Sequence, residues 1–240
     1  MRLLDLTLTT PAENLALDEA LLDTAESDPT RENVLRLWES PTPFVCVGRA
    51  SKLDKEVNLA ACEGANVPVL RRCSGGTSVV AGPGCLMYAV VVSYAEHPQL
   101  RVVDKAHRYV MERMCAALTT LSKRVQLRGT CDLTLGDRKI SGNALRCKRD
   151  HFLYHGTVLY DFPISQIESW LGNDPPRQPD YRDRRSHDSF VANFPFPVDA
   201  IREAISQQWQ TSGALETWPE AETRRLVETR YQLSSWHERL

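Results

Sequence analysis

Apolar residues at Leu15, Leu17, Ala20, Leu21 and Leu22 give PAENLALDEALLDTA (11–25) a broad apolar face, and its leading proline suits a first helical turn, so a helix is expected there. The pattern then shortens. NVLRLWE (33–39) and PFVCVG (43–48) read as strands, the second closed by Gly48. LDKEVNLAACEGAN (53–66) reads as one helix ending near a glycine, VPVLRR (67–72) as a strand and CLMYAVVVSY (85–94) as a long buried strand. VVDKAHRYVMERMCAALTTL (102–121) is amphipathic at helical spacing. DLTLGDRKISGNALRC (132–147) reads as a hairpin turning at Gly136 and Asp137, and HFLYHGTVLYDF (151–162) as a further strand. PISQIESWL (163–171), PVDAIREAISQQWQ (197–210) and PEAETRRLVETRYQL (219–233) read as helices, with GNDPPRQPDYRDRRS (172–186) as a long polar loop. This order predicts an α+β fold with a mixed, mostly antiparallel sheet, in one domain over 1–240.

Composition narrows the picture without changing it. The 240 residues are 42% hydrophobic and 25% charged, with a formal net charge of −2, an ordinary balance for a globular chain with a real core. Nothing in that charge favours nucleic acid, and no apolar run approaches a membrane span, so neither partner is expected. The start, MRLLDLTLTTPAEN, lacks a signal-peptide pattern. Seven widely spread cysteines without a CxxC pair argue against a disulfide framework or a zinc site, which leaves a reducing cytoplasm as the expected compartment and no metal ligands.

Three segments carry candidate chemistry. LRRCSGGTSVVAGPG (70–84) places Arg71 and Arg72 beside four glycines. Gly75 and Gly76 would let backbone amides approach a ligand, and the arginines would pair with phosphate or carboxylate. The loop joins two strands and lacks the GK[ST] ending, so it is not a P-loop. Taken alone it reads equally as a strand connection with solvated arginines. GDRKISGNA (136–144) puts Lys139 on the rising arm of a hairpin, able to offer a point charge to a carbonyl or phosphate oxygen, or simply solvated. In YHGTVLY (154–160), His155 sits in an apolar strand, where a histidine is commonly a hydrogen-bonded core residue.

In this order RRCSGGTSV, DRKISGNA and HGTVL resemble the signature segments of the lipoate–protein ligase and octanoyltransferase superfamily, which is related to biotin–protein ligases. ENLALDEALL, PFVCVGRASKLDKEVNLAACEGANVPVLRR and SHDSFVANFP add to the resemblance, which spans roughly Asn14 to Gln210. It implies a biotin/lipoate ligase-type catalytic domain, with the sheet flanked by helices and an acyl ligand held between sheet and loops. By the same resemblance Arg71, Arg72, Ser74, Gly75, Gly76, Thr77, Ser141, Gly142, His155, Gly156 and Thr157 would bind the lipoyl-adenylate, and Lys139 would polarise its carbonyl. Arg182, Arg184 and Arg185 are candidates for closing over nucleotide.

The implied reaction uses ATP and Mg²⁺ to activate lipoate or octanoate as the acyl-AMP. A lysine on a lipoyl domain, of the 2-oxoacid dehydrogenase E2 or glycine-cleavage H-protein type, would accept the acyl group. The chain departs from the ligase pattern at Ala81-Gly82 and Gly84-Cys85, and only about thirty residues follow ISQQWQ, so a separate accessory-domain protein is one expectation. The rival is an ATP-independent octanoyltransferase. Cys131, in RGTCDLTLGDRK, would be its thioester nucleophile, although it sits a few residues off the transferase pattern. A non-catalytic acyl-adenylate binder is the third alternative.

Overall fold

The computed structural model describes residues 1–28, 30–171 and 178–239. Its frame is a seven-stranded sheet and a three-stranded one. The strands are β1 (Arg2–Asp5), β2 (Val34–Glu39), β3 (Phe44–Val47), β4 (Val69–Arg71), β5 (Val79–Ala81), β6 (Cys85–Ser93), β7 (Val125–Arg128), β8 (Asp132–Leu135), β9 (Arg138–Cys147) and β10 (His151–Leu159). The large sheet runs β1-β2-β6-β10-β9-β8-β7, antiparallel except for β1 on β2, and the small one β4-β3-β5, with β3 parallel to β4. The expected mixed, mainly antiparallel α+β fold is what forms.

Helix α1 (Pro11–Ser27) starts where the sequence places it. Thr10 accepts from the Glu13 N–H while Glu13 reaches back to the Thr10 N–H, a reciprocal cap that satisfies two otherwise unpaired donors. The helix is buried nearly all round. Leu15, Ala16 and Ala20 join the core against the small sheet, Leu17, Leu21 and Leu22 pack with Ala89, Val91 and Leu153 of the large sheet, and Asn14, Asp18 and Glu19 are buried with them. Strand β6 shows why the centre reads as one apolar run. Leu86, Tyr88, Val90 and Val92 face one core, while Met87, Ala89 and Val91 face the other side. That first core is closed by α4 (Val103–Leu121), through Ala106, Val110, Met114 and Leu118, and by α7 (Val198–Gln208), through Ile201 and Ile205.

The expected helix over 53–66 is two short ones, α2 (Leu53–Glu56) and α3 (Leu59–Gly64). Between them Val57 bridges Leu171, the Asn58 N–H bonds Trp170, and the Asn58 side chain caps α3. A tertiary contact therefore overrides an otherwise helical pattern. β1, β7 and β5 were not expected; each has only three or four residues. The expected helix at 163–171 shortens to α5 (Ser165–Trp170), and SHDSFVANFP opens with the single turn α6 (His187–Phe190). The last expected helix becomes α8 (Glu220–Leu226) and a π turn (Val227–Tyr231), followed by α9 (Ser234–His237). Residues 172–177 of the expected loop lie outside the described residues. Among the described residues all seven cysteines are free, and no helix is long and apolar enough to cross a membrane.

Candidate active site

The glycine loop leaves β4, crosses above β6 and β10, and returns as β5. Arg72, 6% exposed, holds it from beneath. Its Nε donates to Ser74 Oγ (3.0 Å), Nη1 to the Cys46 carbonyl (3.2 Å), and Nη2 to the carbonyls of Gly75 (2.5 Å) and Thr77 (3.0 Å). Ser51 Oγ takes the Gly76 carbonyl between them at 3.1 Å. With these carbonyls pulled back, the amides that follow them in trans peptides point away from the anchors. Gly76 has φ +90°, and Gly48 leaves room for the loop, since a Cβ there would lie 2.0 Å from the Gly76 oxygen. At the far end, the Ser78 N–H and hydroxyl both donate to Glu56 Oε2, at 2.7 and 2.8 Å.

Lys139 comes from the second segment. The β8–β9 hairpin turns at Gly136 and Asp137 as expected, but its register shifts between Leu133 and Thr134, so Ile140 is the extra residue of a bulge. Asp132 Oδ1 holds Lys139 Nζ at 2.7 Å, and Tyr181 Oη donates to Asp132 Oδ2 at 2.7 Å. SHDSFVANFP reaches this place too: Val191 bridges Lys139, and the Ala192 N–H bonds the Lys139 carbonyl.

Lys139 lies on the wall between two cavities. One, of about 770 Å³, is lined by Leu15, Cys46, Met87 and Ala144 and also reaches Arg72, Gly76, Cys131, His155 and Gly156. The other, of about 850 Å³, is lined by Glu56, Ser78, Ile167, Leu171, Ser141, Arg182, His187 and Phe190. Thr77, Val79, Lys139, Gly142, Thr157 and Pro179 border both. Burial, with Arg182 and Lys139 nearby, lowers the His187 pKa to about 4, and its Nδ1 is buried without a hydrogen-bond partner among the described residues.

The sequence candidates divide on this map. Arg72, Gly76, Thr77, Lys139, Ser141, Gly142, His155, Gly156, Thr157 and Cys131 border the cavities. Ser74 and Gly75 lie behind the loop and line neither. Arg71 also lines neither: adjacent strand residues face opposite ways, and its guanidinium donates to the carbonyls of Gly48, Ser51 and His237 at 2.7–3.0 Å. Of the three candidate arginines at 182, 184 and 185, Arg182 lines a cavity, Arg185 turns to Asp137, and Arg184 is exposed. Ala81, Gly82, Gly84 and Cys85 are packing positions, with Gly84 at φ +85° against the Asp161 backbone. Asp132, Glu56, Ser78 and Asn143 escaped the sequence reading. Asn143 accepts from Tyr88 Oη and donates to the Cys131 carbonyl, and it fits because Gly156 opposite has no Cβ.

The chain matches the Lipoyl protein ligase A/B catalytic domain over residues 10–211. It belongs to this family. A curated Mycoplasma genitalium protein named "Probable lipoate-protein ligase A" is 29% identical over 164 residues, which cover 68% of this chain and 47% of that protein. The match thus spans just under half of the relative's length. Among solved structures, a Thermoplasma acidophilum bi-partite lipoate protein ligase, described with its E2 lipoyl domain, superposes with a TM-score of 0.83 at 22% identity, covering 99% of this chain and 95% of that one. A lipoate-protein ligase A bound with ATP gives 0.81 at 22%, covering 99% and 98%. A T. acidophilum protein with bound lipoic acid gives 0.82 at 20%, covering 99% and 98%. These likenesses establish the fold of this lipoyl-ligase-type chain.

Proposed function

We propose that this chain is the catalytic part of an ATP-dependent lipoate–protein ligase, which makes the acyl-AMP of lipoate or octanoate and passes the acyl group to a lysine of a lipoyl domain. The observation that carries this reading is the pair of cavities meeting at Lys139. The cavity with Leu15, Met87 and Ala144 suits an aliphatic acyl chain, and the one with Ser78, Arg182 and His187 suits the nucleotide; the orphaned His187 Nδ1 offers that ligand a polar contact. The two halves of an acyl-adenylate would join where the cavities share Lys139, Thr77 and Gly142.

In the first step an acyl carboxylate oxygen attacks the α-phosphorus of ATP, and pyrophosphate leaves. In the second, the acceptor's ε-amine attacks the anhydride carbonyl, loses a proton and expels AMP. In both, charge grows on oxygens at the junction. There Lys139, held by Asp132, supplies a fixed cation, and the loop amides supply donors that need no reorganisation. Among the described residues no group of three or more His, Cys, Asp or Glu is placed to hold a metal ion. Mg²⁺ would therefore arrive on the phosphates, with Asp132 or Glu56 as the carboxylates within the two cavities able to complete its shell. The ion would supply charge neutralisation for the departing pyrophosphate.

The surroundings of Cys131 favour the ligase over the transferase. Its thiol donates to the Asn143 carbonyl at 3.3 Å, and burial, reinforced by Asp132, raises its pKa, so the thiolate is disfavoured. The partner reading follows the bi-partite relative, whose E2 lipoyl domain is named with it. The test is the intact mass of an apo lipoyl domain after incubation with the protein. One arm supplies lipoate with Mg-ATP, the other octanoyl carrier protein without ATP. Acylation confined to the ATP arm supports the ligase; acylation confined to the carrier arm overturns it.

A further inference from the structure

A line of polar side chains runs beneath the glycine loop, and its far end, Asp18 of α1 and Arg36 of β2, lines neither cavity. Arg36, Asp18, Ser74, His155 and Arg72 are all at least nine-tenths buried. From one end, the Arg36 guanidinium donates to Asp18 Oδ1 at 2.6 Å and to Asn14 Oδ1 at 2.6 Å. Asp18 Oδ2 then lies 3.3 Å from His155 Nδ1. From the other end, Arg72 Nε donates to Ser74 Oγ at 3.0 Å, and Ser74 Oγ lies 2.5 Å from His155 Nε2.

Hydrogen-bond chemistry gives this line a direction. Guanidinium groups only donate, and a carboxylate only accepts. Asp18 therefore requires the proton on His155 Nδ1. In the neutral imidazole His155 Nε2 is then an acceptor and takes the Ser74 hydroxyl proton. Ser74 is left with its lone pairs toward Arg72, the group that ties down the carbonyls of Gly75 and Thr77. We infer that Asp18 is a positioning residue of the site: it sets the His155 tautomer and, through Ser74, fixes the Arg72 guanidinium that shapes the glycine loop. The ligand gripped by that loop is the acyl-adenylate of the proposed function, and the inference rests on that reading for this point alone.

Serine, histidine and aspartate in this order also form the acyl-carrying machinery of hydrolases. Here Ser74 is fully buried and lines neither cavity, so no acyl group reaches its oxygen. The line orders the loop instead of carrying substrate.

The experiment is ¹⁵N NMR of histidine-labelled full chain, paired with calorimetric titration of a non-hydrolysable lipoyl sulfamoyl-adenosine. In the native protein His155 carries its proton on Nδ1. Asp18→Asn presents an amide donor to that nitrogen and moves the proton to Nε2, with affinity for the analogue down about tenfold or more. Asp18→Asn also strips a buried guanidinium of its counter-charge, so Ser74→Ala supplies a second, milder break. It keeps the native tautomer, keeps the native fold by circular dichroism, and loses affinity to a similar degree. A native Nε2 proton, an Asp18→Asn protein with the native tautomer, a Ser74→Ala protein of undiminished affinity, or an acylated Ser74 peptide by mass spectrometry would each overturn the inference. Native protein that ignores the analogue sinks the ligase reading, and the tautomer assignment still decides whether Asp18 sets His155.

Discussion

Lys139 is the residue on which the two cavities converge. Replacing it with alanine removes the fixed cation at the junction and leaves Asp132 facing it alone. Acyl transfer falls about 10²–10³-fold, measured by single-turnover acylation of a lipoyl domain, while the fold persists, because Lys139 is only partly buried. Cys131→Ser retains ATP-dependent transfer within about threefold, since the side chain keeps its donor to the Asn143 carbonyl; loss of all transfer would revive the thioester route. Lys139 and His155 were legible in the sequence because each sits in a short segment of distinctive chemistry. The two arginines were not separable there, because neighbouring strand positions point to opposite faces and a sequence does not say which face meets the ligand. Asp18 was hidden for another reason: inside an apolar helical stretch it reads as one polar residue among several. Only the fold sets it against His155.

At the scale of elements, bare backbone does what the side chains cannot. A Cβ on Gly156 would lie 1.7 Å from Asn143 Oδ1, and one on Gly48 would lie 2.0 Å from the Gly76 oxygen. Gly156→Ala therefore drives Asn143 off Tyr88 and lowers stability by about 1–3 kcal/mol, read from urea midpoints. Gly48→Ala pushes on the loop itself, so its larger effect is on analogue affinity. Long elements were readable from their periodicity, as α1, α4, β6 and β10 show. The short ones were not: three residues of β5 inside a glycine-rich stretch carry no period, and the break between α2 and α3 is made by contacts with Leu171 and Trp170 from far along the chain.

For the whole molecule, the two faces of the large sheet have different duties. One is covered by α4 and α7 and supplies core; the other carries α1, the small sheet and the site. One buried histidine and two half-buried ones make the assembly acid-sensitive. His107, His187 and His237 all have pKa values lowered chiefly by burial, His187 to about 4. Below the ordinary histidine value of about 6.5 the unfolded chain binds protons that the folded one refuses, so stability is full above that pH and declines as pH falls toward 4. Urea midpoints taken across this window test the sign.

Arg71, turned away from both cavities, has a consequence in the order of folding. Its backbone N–H meets His237 Nδ1, its guanidinium meets the His237 carbonyl, and Trp236 Nε1 donates to the Arg71 carbonyl, contacts between positions some 165 apart. Glu19, next to Asp18, is likewise bound by Arg230 and Tyr231. Closing so long a loop has an entropic cost that local helices and hairpins escape, so these contacts form late. The glycine loop's frame is therefore completed after the large sheet exists. In a refolding experiment, fluorescence of Trp236, followed with the other tryptophans replaced by phenylalanine, would recover after sheet formation, and competence to bind the analogue would return with it.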